Sequence, residues 1–364
     1  MSNLRQLIIN PGSTSTKVAL FEGNTQVAAE SLSHDAGAIA AFSGIFDQLE
    51  MRREAVMRFV ATAPFPLESL DACVGRGGVL PPLEGGVYEV DDALVSALHE
   101  HGGGHASSLG GLIAREIADS LGIPAYIADP VTTDELDPIA RYSGLPEIPR
   151  VSIFHALNQK AVARRAAAAM NRKYEEINLI VVHLGGGISV GGHRHGRVVE
   201  VGNALYGDGP YTPERSGTLP NTSLVEMCFS GKYTKAEIRR KITGKGGLVA
   251  YLGTNSLRDV DKRIDEGDEY ASLCMEGMAY KIAKEIGRTA CALRGEVDAI
   301  ILTGGAAHSR RLVEWITERV KFIAQVMVYP GEEEMRALAE AGLRALTGEE
   351  TPKRYGRSGR LGNS

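Results

Sequence analysis

The sequence lacks the cysteine patterns of disulfide-rich and zinc-binding proteins. Only four cysteines occur in 364 residues, at positions 73, 228, 274 and 291, and no two of them form a C-x-x-C pair. This spacing argues against a disulfide framework and against a cysteine-based zinc site. Three of the four lie in apolar surroundings, as buried thiols in a reducing compartment do.

Long apolar runs and an excess of one charge are also missing. No stretch approaches the roughly 18 apolar residues of a membrane helix, and the first apolar run, residues 7–9, stops at Asn10. We therefore expect neither a signal peptide nor a membrane span. The formal net charge of −5 gives no general attraction for nucleic acid or anionic lipid. These absences predict a cytoplasmic protein that binds neither.

Glycine, in contrast, is abundant. The chain contains 43 glycines, many of them clustered where apolar strands end. This pattern is typical of an α/β enzyme whose backbone lies close to a ligand. The length suits two domains of roughly 150–200 residues each, so we expect two lobes with a cleft.

Two segments about half the chain apart share one pattern. Residues 7–21 and 179–190 each run from an apolar strand through a turn of glycine and hydroxyl residues into another apolar strand. Such a turn exposes backbone N–H groups and hydroxyls at one point, which suits phosphate oxygens. Two copies predict two similar lobes facing one nucleotide. The P-loop pattern G-x-x-x-x-G-K-[ST] is absent.

The first turn carries its own candidate ligands. Ser13 and Ser15 offer hydroxyls, and Gly12 allows close approach of the backbone. Lys17 returns on the second strand, where its mobile positive charge would reach the terminal phosphate. We therefore expect this turn to bind the polyphosphate.

Periodicity and punctuation divide the chain into two domains. The patterns predict helices at 37–59, 155–173 and 269–293, and buried strands at 124–128 and 297–303. The helix at 155–173 would carry the chain into the second lobe. The predicted domains are 1–150 with a C-terminal helix at about 332–348, then 151–331, with a disordered tail over 349–364.

Three motifs resemble one family. N-x-G-S-[ST]-S-x-K near the start, H-L-G-x-G from His183 and T-G-G from Thr303 are similar to the acetate and propionate kinase (acetokinase) family of the actin-like ATPase superfamily. Segments 74–78, 201–220, 247–255 and 329–332 are similar to its butyrate kinase branch, and the resemblance covers residues 7 to about 347. It implies an α/β fold of two duplicated actin-like, ribonuclease H-like lobes with a nucleotide cleft between them.

The resemblance also implies roles for charged residues. Asn10 and Glu333 fall where the family attends Mg²⁺, with Glu334 as an alternative. Two arginines, Arg76 and Arg215, fall where the family closes on the substrate and the transferring phosphoryl group, a task that suits the paired donors of guanidinium. Asp129, at a predicted strand end, matches the active-site aspartate.

Further candidates come from the histidines and glycines. His155 and His183 are expected to line the cleft as catalytic residues, and His105 is a weaker candidate. The nucleotide contacts implied by the family, including His183 with the two serines and the lysine of the first turn, extend to Gly185, Gly186, Gly187, Gly304, Gly305, Ala306 and His308. One departure is Ser256, where relatives usually carry Asp, so the preference for ATP is less secure than the phosphate sites.

The implied activity is reversible, Mg²⁺-dependent, in-line phosphoryl transfer from ATP to butanoate, giving butanoyl phosphate and ADP. Isobutanoate and other branched short-chain acids stay open, and acetate or propionate is the nearest alternative. A sugar kinase with Asp129 as base and a filament-like or chaperone ATPase are more distant alternatives. The family also implies a homo-oligomer.

Overall fold

The structure is a computed structural model that describes residues 4–356, and these residues form two compact units. Unit 1 comprises residues 4–134 and 333–356, and unit 2 comprises residues 135–332. Each unit contains one mixed β-sheet with helices against it. No helix within residues 4–356 is long and apolar enough to cross a membrane.

Strands and helices are numbered in chain order. The strands are β1 (Arg5–Pro11), β2 (Ser15–Glu22), β3 (Thr25–Ser33), β4 (Ala72–Arg76), β5 (Val87–Glu89), β6 (Ala125–Ala128), β7 (Asn178–Leu184), β8 (Ile188–Arg194), β9 (Arg197–Val201), β10 (Ala299–Gly304) and β11 (Gln325–Pro330). The helices are α1 (Ala36–Ala40), α2 (Leu49–Val60), α3 (Asp92–His101), α4 (Ser108–Leu121), α5 (Ala156–Ala169), α6 (Asn221–Phe229), α7 (Lys235–Ile242), α8 (Gly247–Leu252), α9 (Leu257–Asp265), α10 (Glu269–Ala292), α11 (Arg310–Val320) and α12 (Glu334–Leu346).

The two sheets repeat one topology. In unit 1 the strand order is β3-β2-β1-β4-β6-β5, and in unit 2 it is β11-β10-β7-β8-β9. In both, three consecutive strands form an antiparallel meander, β1-β2-β3 or β7-β8-β9, and the first strand of the meander begins a parallel series on its other side. The series β3-β2-β1-β4-β6 thus corresponds to β9-β8-β7-β10-β11. This internal repeat confirms the predicted pair of duplicated α/β domains.

The central strands are covered on both faces. Leu7, Ile8 and Ile9 of β1 are fully buried, and every residue of β7 is buried. A continuous apolar run of this kind is what a central strand with helices on both faces requires. In unit 1, α4 and α12 both lie against β1, β4 and β6.

Glycines let the backbones of β4 and α4 touch. A Cβ atom on Gly75 would overlap the backbone of Gly110, and one on Gly110 would overlap the backbone of Arg76. Side chains at these positions would push the helix off the sheet, so only glycine fits. The contact fixes the end of β4, where Arg76 emerges.

Two predictions of local structure are wrong. The helix predicted over 37–59 is broken into α1 and α2, because the chain turns through Ser43 and Gly44 before a 3₁₀ turn at Phe46–Gln48. The disorder predicted over 349–364 is wrong for residues 349–356. The Lys353 N–H donates to the Val87 carbonyl at 2.8 Å, and the Lys353 carbonyl accepts from the Glu89 N–H at 2.9 Å. This pairing is possible because β5 is the edge strand of the sheet. Residues 357–364 lie outside the described range.

Candidate active site

The first glycine and hydroxyl turn joins β1 to β2 in unit 1. The Gly12 N–H donates to the Ser15 carbonyl at 2.7 Å, which closes the turn. Asn10 and Lys17 are directly opposite one another in the hairpin register, so their side chains lie on the same side of the sheet. Ser13 and Lys17 are exposed and Ser15 is half-buried. The candidate phosphate ligands are therefore presented to solvent by a rigid hairpin.

A buried arginine on α2, Arg52, holds this turn from behind. Its Nη1 donates to the carbonyls of Gly12 and Ser15 at 2.9 and 3.1 Å, and its Nη2 donates to the Ser13 carbonyl at 2.9 Å. Gln48 accepts from Nε and Nη2. Burial lowers the pKa of Arg52 from its ordinary value, yet guanidinium stays protonated in proteins. The carbonyls of Gly12, Ser13 and Ser15 therefore already have a donor in Arg52.

Glu334 joins two of the predicted residues. Its Oε2 accepts from Asn10 Nδ2 at 2.8 Å, and its Oε1 forms a short ion pair with Arg76 Nη1. Asn10 is buried, whereas Arg76 and Glu334 are partly exposed. Asn10 is thereby oriented with its carbonyl oxygen away from Glu334, and the arginine at the end of β4 is fixed in place.

The two candidate metal glutamates lie in different settings. Glu334 begins α12 beside Asn10, whereas Glu333 precedes the helix in a left-handed conformation, with φ of 26°, and pairs with Arg336 at 3.6 Å. Of the alternatives that the sequence left open, the structure brings Glu334 against Asn10. Both carboxylates offer the hard oxygen donors that Mg²⁺ takes.

Asp129 follows β6 directly and is 3% exposed. Its Oδ1 accepts from the Gly86 N–H at 2.7 Å, and its own N–H donates to the Gly86 carbonyl at 3.1 Å. Its φ is 39°, a left-handed conformation that a non-glycine residue adopts only when its surroundings impose it. The carboxylate is therefore held in one orientation at the carboxyl end of a parallel strand.

His105 lies near Arg76. Its Nδ1 accepts from the Ser107 N–H at 3.2 Å, and burial, with the positive charge of Arg76, lowers the pKa of His105 from its ordinary value. The ring is therefore a neutral imidazole at neutral pH. Its proximity to Arg76 keeps it a candidate for this part of unit 1.

In unit 2, His155 and His183 form a stacked pair. Their ring centroids are 3.7 Å apart with an interplanar angle of 9°. His155 immediately precedes α5, and His183 is the next-to-last residue of β7. His183 Nε2 lies 3.4 Å from a carboxylate oxygen of Glu332. The structure thus brings together the two histidines that the sequence singled out.

The second glycine turn contacts Arg215. Thr212 Oγ1 donates to the Gly186 carbonyl at 2.5 Å and accepts the backbone N–H of Arg215 at 3.0 Å. The Arg215 guanidinium donates to the Ala204 carbonyl at 2.6 Å and lies so close to Gly187 that a Cβ atom there would overlap it. Burial lowers the pKa of Arg215 from its ordinary value. Only glycine at position 187 leaves room for this arginine.

The third glycine motif follows β10. Gly304 has φ of 91° and exchanges backbone hydrogen bonds with Gly331 at 3.0 and 2.9 Å. A Cβ atom on Gly304 would overlap the backbone of Leu184, at the end of the neighbouring strand. A 3₁₀ turn over Gly305–His308 comes next, in which Gly305 and His308 are exposed and Ala306 is half-buried. The motif thus ends beside the 185–187 turn.

Ser256 is the N-cap of α9. Its Oγ accepts from the Asp259 N–H at 3.2 Å. Asp, which the family resemblance led us to expect there, is an equally good N-cap, so the departure leaves the helix start intact. Next to it, Asn255 donates to Glu214 at 2.6 Å.

Comparison with known proteins identifies a family and a fold for this chain. A family model described as the acetokinase family matches residues 148–349. Butyrate kinase 2 of Clostridium acetobutylicum is 51% identical over 350 residues, which cover 96% of this chain and 98% of that protein.

Solved structures with low sequence identity share the architecture. The acetate kinase of Porphyromonas gingivalis matches with a TM-score of 0.76 at 19% identity, covering 94% of this chain and all of that one. A propionate kinase from Francisella tularensis matches with a TM-score of 0.70 at 17% identity, covering 94% of this chain and 99% of that one. These likenesses confirm the fold class expected from the sequence.

Proposed function

Since this chain belongs to the acetokinase family, we propose that it is a butyrate kinase, which transfers the γ-phosphoryl group of ATP reversibly to butanoate. The observation that carries the proposal is the 51% identity to butyrate kinase 2, because it extends over 96% of the chain. Isobutanoate and other branched short-chain acids are further candidate substrates.

The central chemical problem is that two anions must meet. A carboxylate is already ionised at neutral pH, so its oxygen attacks the γ-phosphorus without a general base. Lys17, Arg76 and Arg215 would neutralise the phosphate and spread charge over its equatorial oxygens in a loose, in-line transition state. Transfer is direct, and no side chain becomes phosphorylated.

Nucleotide phosphates would bind to the two glycine turns. Ser13 and Ser15 supply hydroxyls, and the Arg52 clamp supports the proposal because it holds the carbonyls of the first loop in place. Gly185, Gly186 and Gly187 would contribute backbone N–H groups from the second turn. Gly304, Gly305, Ala306 and His308 would surround the adenosine.

Magnesium fits the residues at the start of α12. The Asn10 side-chain amide oxygen would hold it together with Glu333, as the family implies, or with Glu334, whose hydrogen bond to Asn10 Nδ2 would then be released. Within residues 4–356 no group of three or more His, Cys, Asp or Glu side chains is arranged to hold a metal, but a nucleotide-borne Mg²⁺ keeps waters and phosphate oxygens and needs only one or two protein oxygens. When bound, it neutralises charge on the phosphates. The oriented carboxylate of Asp129 would accept hydrogen bonds from its water ligands.

His155 would act as a hydrogen-bond donor, and His183 would hold it in place by stacking against its ring. His155 and His183 border the second glycine turn, where N–H donors stabilise charge that develops on phosphoryl oxygens. Their ordered contacts support this role, because a fixed donor loses little to reorganisation during the reaction.

The decisive experiment is a substrate panel. The protein is incubated with ATP, Mg²⁺, hydroxylamine and acids from formate to hexanoate, including isobutanoate, and the acyl hydroxamate is measured for each. A maximum at four or five carbons supports the proposal. A maximum at acetate or propionate would keep the mechanism and replace the substrate, and no product with any acid would overturn the carboxylate kinase.

We also propose that the enzyme is a cytoplasmic homo-oligomer, at least a dimer. Helix α6 supports an oligomer because none of its residues is buried, although it carries Val225 and Phe229, which are 52% and 86% exposed. Apolar residues that cluster on a surface often mark an interface. Sedimentation of the protein and of F229D tests this: the wild type should sediment as an oligomer, and F229D should shift toward monomer.

A further inference from the structure

A chain of buried polar side chains leads to His155 through the interior of unit 2. Tyr174 OH lies 2.7 Å from His193 Nδ1, and His193 Nε2 lies 3.0 Å from Gln159 Oε1. Gln159 Nε2 lies 2.8 Å from Ser189 Oγ, which in turn lies 2.9 Å from His155 Nδ1. His193 and Gln159 are fully buried, and Ser189 is 3% exposed.

The orientation of Gln159 fixes the direction of this chain. Its amide nitrogen also lies 3.0 Å from the Ser189 backbone carbonyl, and a carbonyl oxygen can only accept. The NH₂ group must therefore face Ser189, and Oε1 must face His193. Because the amide donates to Ser189 Oγ, that oxygen already accepts one hydrogen bond.

His193 has one ring proton, and its position follows from Gln159. Burial is the main cause that lowers the pKa of His193 to about 3, so the ring is neutral at neutral pH. Oε1 of Gln159 requires a donor, which places the proton on His193 Nε2. Nδ1 of His193 then accepts from the Tyr174 hydroxyl.

The remaining hydrogen of the chain belongs to Ser189. Its oxygen accepts from Gln159, and among the described residues the acceptor within reach of its hydrogen is His155 Nδ1, so the hydroxyl donates to that nitrogen. An imidazole nitrogen that accepts carries no proton. A neutral His155 is therefore protonated on Nε2.

The stacked partner has the opposite arrangement. Asn158 Nδ2 donates to the Glu332 carbonyl at 3.3 Å, so Asn158 Oδ1 must accept from His183 Nδ1, at 2.8 Å. His183 thus carries a proton on Nδ1, whereas His155 does not. The tautomers of these two rings, whose centroids are 3.7 Å apart, are thus determined by two adjacent amide side chains of α5, Asn158 and Gln159.

We propose that Gln159 and Ser189 are positioning residues that hold His155 as the Nε2–H tautomer, so that its outer nitrogen is a permanent hydrogen-bond donor. The tautomer follows from this unit alone. Its consequence, donation to the transferring phosphoryl group, rests on the proposed function.

The first test reads the tautomer directly. Long-range ¹H–¹⁵N correlation spectra of protein labelled on histidine distinguish a protonated from a bare ring nitrogen, and H155Q assigns the signal. At pH 7.5 without substrate we expect a bare Nδ1 and a protonated Nε2. A protonated Nδ1 on His155 overturns the proposal, whatever the protein's substrate is.

The second test interrupts the series of hydrogen bonds by removing the Ser189 hydroxyl. S189A should leave His155 as a mixture of tautomers and lower kcat for acyl phosphate formation about tenfold, the lower end of what outer hydrogen-bond partners of histidine contribute in metal sites, with KM for butanoate within about twofold of the wild type. S189T keeps the hydroxyl and should restore the wild-type spectrum. Unchanged tautomer and kcat in S189A would overturn the proposal.

Thr289 provides a matched control. It is 1% exposed and donates its hydroxyl to the Glu285 carbonyl at 2.9 Å, outside the chain that ends at His155. T289A removes a buried hydroxyl of the same kind, so it should lower the melting temperature without changing the His155 spectrum or kcat. If S189A fails to fold, the His155 tautomer is read from the spectra of the wild type and of Q159M instead. If no acid is phosphorylated, the spectra test the tautomer while the function fails separately.

Discussion

The imidazole rings of His155 and His183 lie face to face, 3.7 Å apart and within 9° of parallel. Each ring packs against one face of the other. His155 Nδ1 is hydrogen-bonded to Ser189, and His183 Nδ1 is hydrogen-bonded to Asn158. Each ring is therefore positioned both by stacking and by a hydrogen bond. Substitutions that keep a donor at one ring position distinguish what each nitrogen does.

Replacement of His155 should depend on which nitrogen is mimicked. The amide nitrogen of Gln reaches the place of Nε2, whereas that of Asn reaches only the place of Nδ1. We expect H155N to lower kcat about 10²–10³-fold, as the loss of a donor to developing charge does, and H155Q to retain at least tenfold more activity than H155N. Hydroxamate formation measures both. Equal losses would show that the Nε2 donor is not what matters.

The Arg52 clamp should determine both stability and nucleotide binding. R52M leaves the carbonyls of the first turn without their buried donor, which should lower the free energy of unfolding by about 2–4 kcal/mol and raise KM for ATP more than KM for butanoate. The neighbouring R53M is the control, since Arg53 is partly exposed and pairs with Glu50. R53M should change stability by less than about 0.5 kcal/mol.

Gly187 should be irreplaceable because of Arg215. In G187A the new methyl group would occupy the position of the guanidinium, which must then leave its contact with the Ala204 carbonyl. We expect kcat/KM for butanoate to fall about 10–100-fold, as when a positioning contact is misplaced, with the fold retained. G287A, in open space on α10, is the matched control. Wild-type kinetics in G187A would contradict the placement of Arg215.

Burial of His193 should make unit 2 sensitive to acid. Its folded pKa of about 3 lies below the ordinary value of 6.5, because burial, Lys160 and Arg164 outweigh the opposite effect of Glu135. Between these pH values the unfolded chain binds the proton and the folded chain does not, so stability is complete above pH 6.5 and is lost as pH falls, by about 1.4 kcal/mol per pH unit.

A variant without the titrating ring tests this dependence. From pH 7 to pH 5 the wild type should lose about 2 kcal/mol more than H193Q. The single tryptophan, Trp315, lies on α11 of the same unit, so its fluorescence during urea unfolding reports on it. An identical pH dependence in the two proteins would show that His193 is not buried as a neutral ring.

Local patterns carried much of the fold and of the site. The two hairpins were predictable because a continuous apolar run, a glycine turn and a second apolar run all lie within 15 residues. Strand β3 was missed, since only Ala28 and Leu32 of it are even half-buried, which leaves a weak apolar pattern. Helices α8 and α9 were missed because each is short and has at most two buried residues.

Contacts between distant residues were beyond the sequence. Arg52 binds backbone carbonyls 37–40 residues away. Every residue has a backbone carbonyl, so the residue types at these positions give no sign of the contact. The choice between Glu333 and Glu334 depends on where α12 begins, because a helix turns adjacent side chains about 100° apart. Gln159 and Ser189 have no recognisable motif. Their importance follows only from a carbonyl that can accept but not donate.

Unit 1 is discontinuous along the chain, and a helix from the C-terminal segment covers its sheet. Helix α12 covers β1, β4 and β6, and Gln6 at the start of the chain donates to the Ala339 carbonyl at 3.1 Å. Chains emerge from the ribosome N-terminus first. Residues 135–332 are therefore all synthesised before α12. Until α12 is made, the first segment of unit 1, residues 4–134, has one apolar face of its sheet uncovered. Unit 1 is thus the first unit whose synthesis begins and the last that can finish folding, and we expect it to need a chaperone.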